Sequence, residues 1–419
     1  MRHYDYLIVG GGMAADAASR GIRELDVAGA LGILSADIDP PYARPALSKR
    51  LWTDMHFPWH RALLDTQQAT GADLQLQTRV TRILRTDQQV VTAAGETIGY
   101  QRLLLATGLV PRTLPDAESG TVIYYRSAED YRRLMSLSLY RDSFLVIGGG
   151  YIGAELAAAL VGHGRRVTLV LPGQMLGDTM FPADIAQEYH QEFADAGVRL
   201  ITGHRVRQVR RSGPCEDGLQ VGVTAVLDDG REITADAAVA GLGAVPDLHM
   251  AREAGLSVDD GIIVDAHLRT SDPSIWAAGD IARYRDAVLG PARVEHVDNA
   301  QTMGRAAGRA MAGDPEPYDY TPYIYSRVLG IDWQAIGKLD PSLETLTTTM
   351  RDGGRVVAYI RDGRTVGVLL WQIADGLDAA RSLLTRRIVS PAALESGVPR
   401  GGRPAAARGP GGPRPRGRR

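Results

Sequence analysis

Cysteine is almost missing from this sequence: Cys215 is the only one in 419 residues. A lone thiol excludes a disulfide framework, a cysteine-ligated zinc site and an iron–sulfur cluster held by this chain alone. It also excludes a CxxC or CxxxxC redox dithiol. Lysine is nearly missing too, with Lys49 and Lys338 set against 45 arginines. In so arginine-biased a composition a retained lysine suggests that a compact ammonium is required, while Lys49 is also open to being an ordinary surface residue. Long apolar runs are absent. The most apolar window, residues 144–162, carries Glu155 and many glycines, so it reads as strand–turn–helix and not as a membrane span. The opening MRHYDYLIVGGG has too short and glycine-rich an apolar run for a signal peptide. The expectation is a soluble, cytoplasmic protein with no membrane attachment and no metal site.

Charge is unevenly spread. The net value of −2 averages two unlike regions. Residues 396–419 hold seven arginines and no acid; without them, 40 bases face 49 acids, an acidic body near −9. That balance argues against nucleic acid as the main partner. The segment after Ser396 is almost all Gly, Pro, Ala and Arg, too poor in apolar surface to offset its ordering entropy, and is expected to be disordered. With 44% hydrophobic residues, the rest can bury a sizeable core, and its length calls for two to four domains.

Short apolar strands lead into glycine-rich turns at residues 6–9, 144–147 and 237–240, and the first two run on into Ala-rich helical stretches. The turns read Gly10-x-Gly12-x-x-Ala15 and Gly148-x-Gly150-x-x-Gly153, 138 residues apart. In such turns the glycines let the backbone approach a pyrophosphate, and the helix N-terminus meets it with the positive end of its dipole. One copy also fits a merely tight turn; two copies in one chain point to two nucleotides. Strands alternating with helices around them give an α/β class with parallel sheets. Two further strand ends agree: residues 103–108, closing on Thr107-Gly108, and residues 275–280, closing on Gly279-Asp280. Asp280 is open to two readings, a ligand for the ribityl hydroxyls of a flavin or a helix N-cap. From Tyr318 the texture turns to tyrosines and hairpin signals, a smaller α+β domain in which Trp333 reads as core.

The order GxGxxA, ATG, GxGxxG, AAGD resembles the two-dinucleotide-domain flavoprotein reductases. Pro41-Tyr42-Ala43-Arg44-Pro45-Ala46-Leu47-Ser48-Lys49 is similar to the PYxRPxLSK signature of the branch without a redox dithiol: ferredoxin reductases, apoptosis-inducing factor and monodehydroascorbate reductases. Residues 293–298, 318–327 and 184–186 resemble segments of plant monodehydroascorbate reductases. The resemblance implies two Rossmann-like domains, one inserted in the other, plus a C-terminal α+β domain. FAD would take residues 1–113 and 239–314, NAD(P)H would take 114–238, and 315–395 would form an interface domain. It further implies that Lys49 and Glu155 pair beside the flavin and that Arg44 faces the FAD diphosphate. Asp37 would stand in for the missing ribose-binding Glu, and Gly243, Glu295, His296 and Tyr325 would join the cofactor wall. On the residues alone, Glu155 is equally a first-turn carboxylate favoured by the helix dipole, and Glu295-His296 a capping cluster.

Strand 167–170 ends at Leu171-Pro172-Gly173-Gln174, with neither an acid for a ribose 2′-hydroxyl nor an arginine for a 2′-phosphate. A modest preference for NADH over NADPH is therefore expected. The implied activity passes electrons from NADH through FAD to an external one-electron acceptor, a small ferredoxin- or rubredoxin-type protein. Two alternatives stand: a monodehydroascorbate reductase-like enzyme acting on a small radical or quinone, and a redox-sensing interaction flavoprotein. The chain would be a monomer or homodimer. Gln301 occupies the place where the plant enzymes carry an arginine facing the ascorbate radical, which favours the protein acceptor. Arg293, Arg305 and Arg309 are the expected docking cations for an acidic partner.

Overall fold

The computed structural model describes residues 2–214, 221–386 and Leu394. Cys215 and the Arg-rich stretch 396–419 lie outside the described residues.

Strand β1 (His3–Val9) enters the first glycine turn and helix α1 (Met13–Arg23) leaves it. Beside β1 lie β2 (Leu31–Leu34) and β3 (Thr97–Leu105), both parallel to it. A short strand, β4 (Leu109–Pro111), then carries the chain out of this sheet. The second unit repeats the plan: β5 (Ser143–Ile147), the second glycine turn, α2 (Tyr151–Gly162), then β6 (Arg166–Val170) and β7 (Ala237–Ala240), parallel on either side of β5. Strand β8 (Ala244–Pro246) pairs antiparallel with β4, so the two crossings between the units lie side by side. The chain returns to the first sheet as β9 (Ile275–Ala277), parallel to β3. Helix α3 (Val297–Met311) follows, then an antiparallel five-stranded sheet that opens with β10 (Tyr323–Val328) and β11 (Ile331–Gly337). This is a mixed α/β architecture of two Rossmann-like units and a C-terminal α+β unit. Among the described residues no helix is long and apolar enough to cross a membrane.

The cores follow from burial of these strands. Leu7, Ile8, Leu103, Leu104 and Leu105 are fully buried in one cluster; in the second unit Val146, Leu169 and Val239 are fully buried between the sheet and its helices, and Leu145 on the sheet's other face. Strands covered on both faces read as continuous apolar runs, which is why these were legible as buried parallel strands.

Helices α1 and α3 pack at unusually close range. A Cβ added at Gly304 or Gly308 of α3 would collide with the carbonyl oxygens of Ala14 or Ala18, and one at Gly21 of α1 with that of Arg305. Small residues on both helices therefore bring the backbones together. At the outer end Glu24 pairs with Arg305 at 2.6 Å and Arg309 at 2.8 Å.

Candidate functional site

Both glycine turns open into one cleft of about 390 Å³. Gly10 (φ +127°) and Gly148 (φ +105°) do not line it; they build it. Each abuts a neighbouring strand end, Gly10 the Ala106 carbonyl and Gly148 the Gly241 carbonyl, in a left-handed conformation a side chain would strain. Gly153 presses on the Gly148 carbonyl, Gly279 on the Ala14 methyl, and Ala15 is fully buried beneath the turn. Gly12 and Gly150 do line the cleft, and a Cβ on either would enter open space. Two such cradles, each at the start of a helix of eleven or twelve residues, suit two diphosphates.

Between the cradles sits a buried ion pair. Lys49 Nζ lies 2.6 Å from Glu155 Oε1, with the Glu155 side chain 4% exposed and that of Lys49 20%. Glu155 is the fifth residue of α2, beyond its first turn, so the dipole reading of this carboxylate is set aside. Its oxygens also accept hydrogen bonds from Ser48 Oγ at 2.5 Å and Ser326 Oγ at 2.9 Å. A charge this deep needs such partners, because desolvation alone costs several kcal/mol, on the order of what the pairing returns. Three units meet at one carboxylate: the first through Ser48 and Lys49, the second through α2, the third through β10.

Thr107, Gly108, Arg44, Arg126 and Asp280 line the side of the first turn. Asp280 lies inside a short 3₁₀ turn whose N-cap is Ala278, so it does not act as the helix cap. Its carboxylate lies 3.4 Å from Arg126 Nη2. Burial pushes the Asp280 carboxyl upward, and Arg126 opposes that. Arg126 is itself lowered, first by burial and then by nearby Arg44, whose Nη1 donates to the Arg126 carbonyl at 2.7 Å. The buried Arg126 Nε has no partner among the described residues. An orphaned donor in a cleft wall fits a site shaped for an anionic or hydroxyl-rich ligand.

The far wall is Glu295, His296 and Tyr325. His296 has two places in the structure. It lines the cleft and caps α3, with Nδ1 accepting from Asp298 N at 3.3 Å. Its ring meets Tyr325 edge-on at 5.2 Å, and Lys49 Nζ stands 5.7 Å from the Tyr325 ring centre. Burial, then the Lys49 charge, holds the imidazole down at about 4, while burial raises the Tyr325 phenol. A folded-state value below the ordinary 6.5 means that the unfolded chain takes the proton first. His296 therefore removes stability as pH falls from about 6.5 to about 4, of order 3 kcal/mol in all. His296→Asn keeps a capping side chain without that titration. Melting temperatures across this range are expected to fall less steeply in the variant; parallel curves would show that His296 is already protonated when folded.

The remaining expected residues divide between the cleft and other places. Gly243 lines the cleft on the side of the second turn. Asp37 is not brought to the cleft. It lies past β2, where its carboxylate accepts from Asp39 N at 3.2 Å and from the Tyr42 hydroxyl at 3.3 Å, closing a local turn. Gln301 is exposed on α3 and outside the cleft lining. The expected docking arginines are already paired: Arg293 with Glu295 at 2.8 Å, Arg305 and Arg309 with Glu24. The sequence reading missed Ser48, Ser326, Arg126, Tyr151 and Arg112. A signal for Arg126 existed, since it follows a strand (Val122–Tyr124) of a parallel sheet, and ligands gather at such strand ends.

Comparison with known proteins agrees with this geometry. Residues 4–304 match the family model for pyridine nucleotide-disulphide oxidoreductases. Monodehydroascorbate reductase 3 of Arabidopsis thaliana is 30% identical over 404 residues, covering 88% of this chain and 89% of that protein. Rubredoxin-NAD(+) reductase of Pseudomonas putida is 32% identical over 341 residues, covering 80% and 86%. Among solved structures, the reductase of the covalent putidaredoxin reductase–putidaredoxin complex superposes with a TM-score of 0.83 at 29% identity, over 94% of this chain and 95% of that one. The chain thus belongs to the pyridine nucleotide-disulphide oxidoreductase family, among its ferredoxin-type and monodehydroascorbate reductases, and with one cysteine it carries no redox disulfide of its own.

Proposed function

We propose that this protein is an FAD-dependent NADH oxidoreductase that hands electrons to a small ferredoxin- or rubredoxin-type protein. The observation that carries this is the single cleft fed by two open glycine cradles, at Gly12 and Gly150, with Lys49–Glu155 between them. When bound, FAD supplies the exchange between a two-electron donor and a one-electron acceptor that no side chain here can perform. In this reading Gly12 and the α1 N-terminus admit the FAD diphosphate, with Arg44 and Arg126 beside it. Asp280 accepts from the ribityl hydroxyls. Gly150 and the α2 N-terminus admit NADH. Lys49, held by Glu155, would set its ammonium beside the bound flavin, where it would stabilise negative charge. Tyr325 and His296 close the acceptor side and exclude water.

The corresponding domains are residues 1–113 with 239–314 for FAD, 114–238 for NADH, and 315–395 for the interface. The protein is read as cytoplasmic and unattached to membranes, a monomer or homodimer. A second reading, a small radical as acceptor, is favoured by Tyr325 standing in the cleft beside Lys49. Gln301 gives it no support, being outside the cleft lining.

An acceptor panel under saturating NADH tests the choice. Turnover with a [2Fe–2S] ferredoxin or a rubredoxin is expected to exceed turnover with enzymatically generated ascorbate radical. Since Arg293, Arg305 and Arg309 are ion-paired, raising salt from about 50 to about 500 mM is expected to slow it only about twofold to threefold. Fast reduction of ascorbate radical, with none of any iron–sulfur protein, reverses the assignment. A very slow second half-reaction with every acceptor points to a sensor.

A further inference from the structure

The two glycine turns are backed in the same way, and the likeness extends to one arginine each. Behind the first turn, Gly10 abuts Ala106, and two residues on stands Gly108. A Cβ on Gly108 would lie 3.5 Å from Arg126 Nη2. Behind the second, Gly148 abuts Gly241, and two residues on stands Gly243. A Cβ there would lie 4.0 Å from Arg112 Cδ and Nε. Arg112 is tied to this place by its backbone. It follows β4, Pro111 pairs with Ala244 of β8, and Arg112 N donates to the Gly243 carbonyl at 3.0 Å.

The two arginines differ in what they hold. Arg126 faces Asp280, and Arg44 is engaged with the Arg126 carbonyl. Arg112 lines the cleft, is exposed, and has no acid within ion-pair distance among the described residues. It is thus a cation left unpaired beside the second cradle. An unneutralised guanidinium next to a glycine turn and a helix N-terminus suits a diphosphate, which it grips with two parallel N–H donors.

We propose that Arg112 binds the diphosphate of NADH, as the second unit's counterpart of Arg126. This rests on the reading that NADH occupies the second turn. Arg112 is an affinity residue for the donor: its contact is made equally in ground and transition states, so it acts on KM and leaves kcat alone.

The test uses the FAD-loaded enzyme and the variants Arg112→Gln and Arg112→Lys. In Arg112→Gln, KM for NADH is expected to rise about tenfold, about 1.4 kcal/mol, with kcat within about twofold and FAD content unchanged. The inhibition constant of ADP-ribose, which carries the diphosphate without the nicotinamide, should rise in parallel. That of adenosine, which has no phosphate, should not move. Arg112→Lys, keeping charge without the fork, should fall between. Unchanged NADH and ADP-ribose constants in Arg112→Gln overturn the inference, as does loss of FAD in their place. Failure of the functional reading looks different: NADH then leaves the wild-type flavin absorbance untouched.

Discussion

Purified Gly12→Val is expected to be colourless. Gly12 precedes α1 in extended backbone (φ −97°, ψ −168°), which valine adopts without strain, and among the described residues no atom lies within 4 Å of an added Cβ. The apoprotein should therefore fold and melt like wild-type apoprotein. What the branched side chain fills is the cradle itself, separating the diphosphate from the N–H groups at the head of α1. Loss of those contacts is expected to weaken FAD by at least about a hundredfold, roughly 3 kcal/mol. Flavin absorbance per chain after reconstitution is the measurement. A yellow variant with wild-type occupancy would falsify the placement of FAD at the first turn. Gly10→Ala is the contrasting case. Its methyl would strike the Ala106 carbonyl from a φ of +127°, so that variant should lose stability whether or not flavin is present.

The second large effect is expected at the pair between the cradles. Glu155→Gln and Lys49→Met should each slow reduction of the bound flavin by NADH about 10- to 100-fold, while FAD content stays near one per chain. The double variant should be little slower than either single one, because the two side chains act as a unit. Their costs in stability should differ. Lys49→Met leaves a carboxylate that is 4% exposed without its cation, and removing one partner of a buried pair costs about 3–5 kcal/mol. Glu155→Gln keeps one oxygen to accept from one of Ser48 and Ser326, the other hydroxyl can turn to accept from the new amide N–H, and the lysine left behind is able to reach water, so it should melt closer to wild type. Stopped-flow traces give the rates and thermal melts the stabilities. Unchanged reduction in both variants would make the pair a brace between units and nothing more.

Much of this was readable from the chain because it is local. A buried parallel strand, a glycine turn and a small-residue helix follow one another within some twenty residues, so β1–α1 and β5–α2 were both legible. Lys49 stood out through composition. The site's convergences were not legible, because they join distant segments. Ser48 and Ser326 meet Glu155 across 107 and 171 residues. Nothing in either neighbourhood announces a carboxylate, although both serines lie inside strings the family resemblance had drawn out. Asp37 shows the limit of a local reading: a carboxylate near a strand end suggested a ribose ligand, but its bonds to Asp39 N and the Tyr42 hydroxyl, beside a turn onto Ser35 Oγ, were not legible there. Glu155 sits one turn deeper than a dipole partner should, a matter of where α2 begins. The ion pairs of the expected docking arginines were illegible for another reason: sequence reports a cation but not the acid waiting across a helix interface, as Glu24 waits for Arg305 and Arg309.

The contact between α1 and α3 has a consequence for the order in which the molecule is made. Their backbones touch through Gly304, Gly308 and Gly21, yet about 280 residues separate the two helices along the chain. At a synthesis rate of ~5–20 residues per second, α1 waits roughly 15–60 s on the ribosome before its partner emerges. The parallel strands of the second unit, all between Val122 and Ala240, are complete well before that. The second nucleotide cradle is thus finished while the first, begun earliest, still lacks its backing helix. During that interval the face of α1 that Gly304 and Gly308 later cover lacks its partner helix.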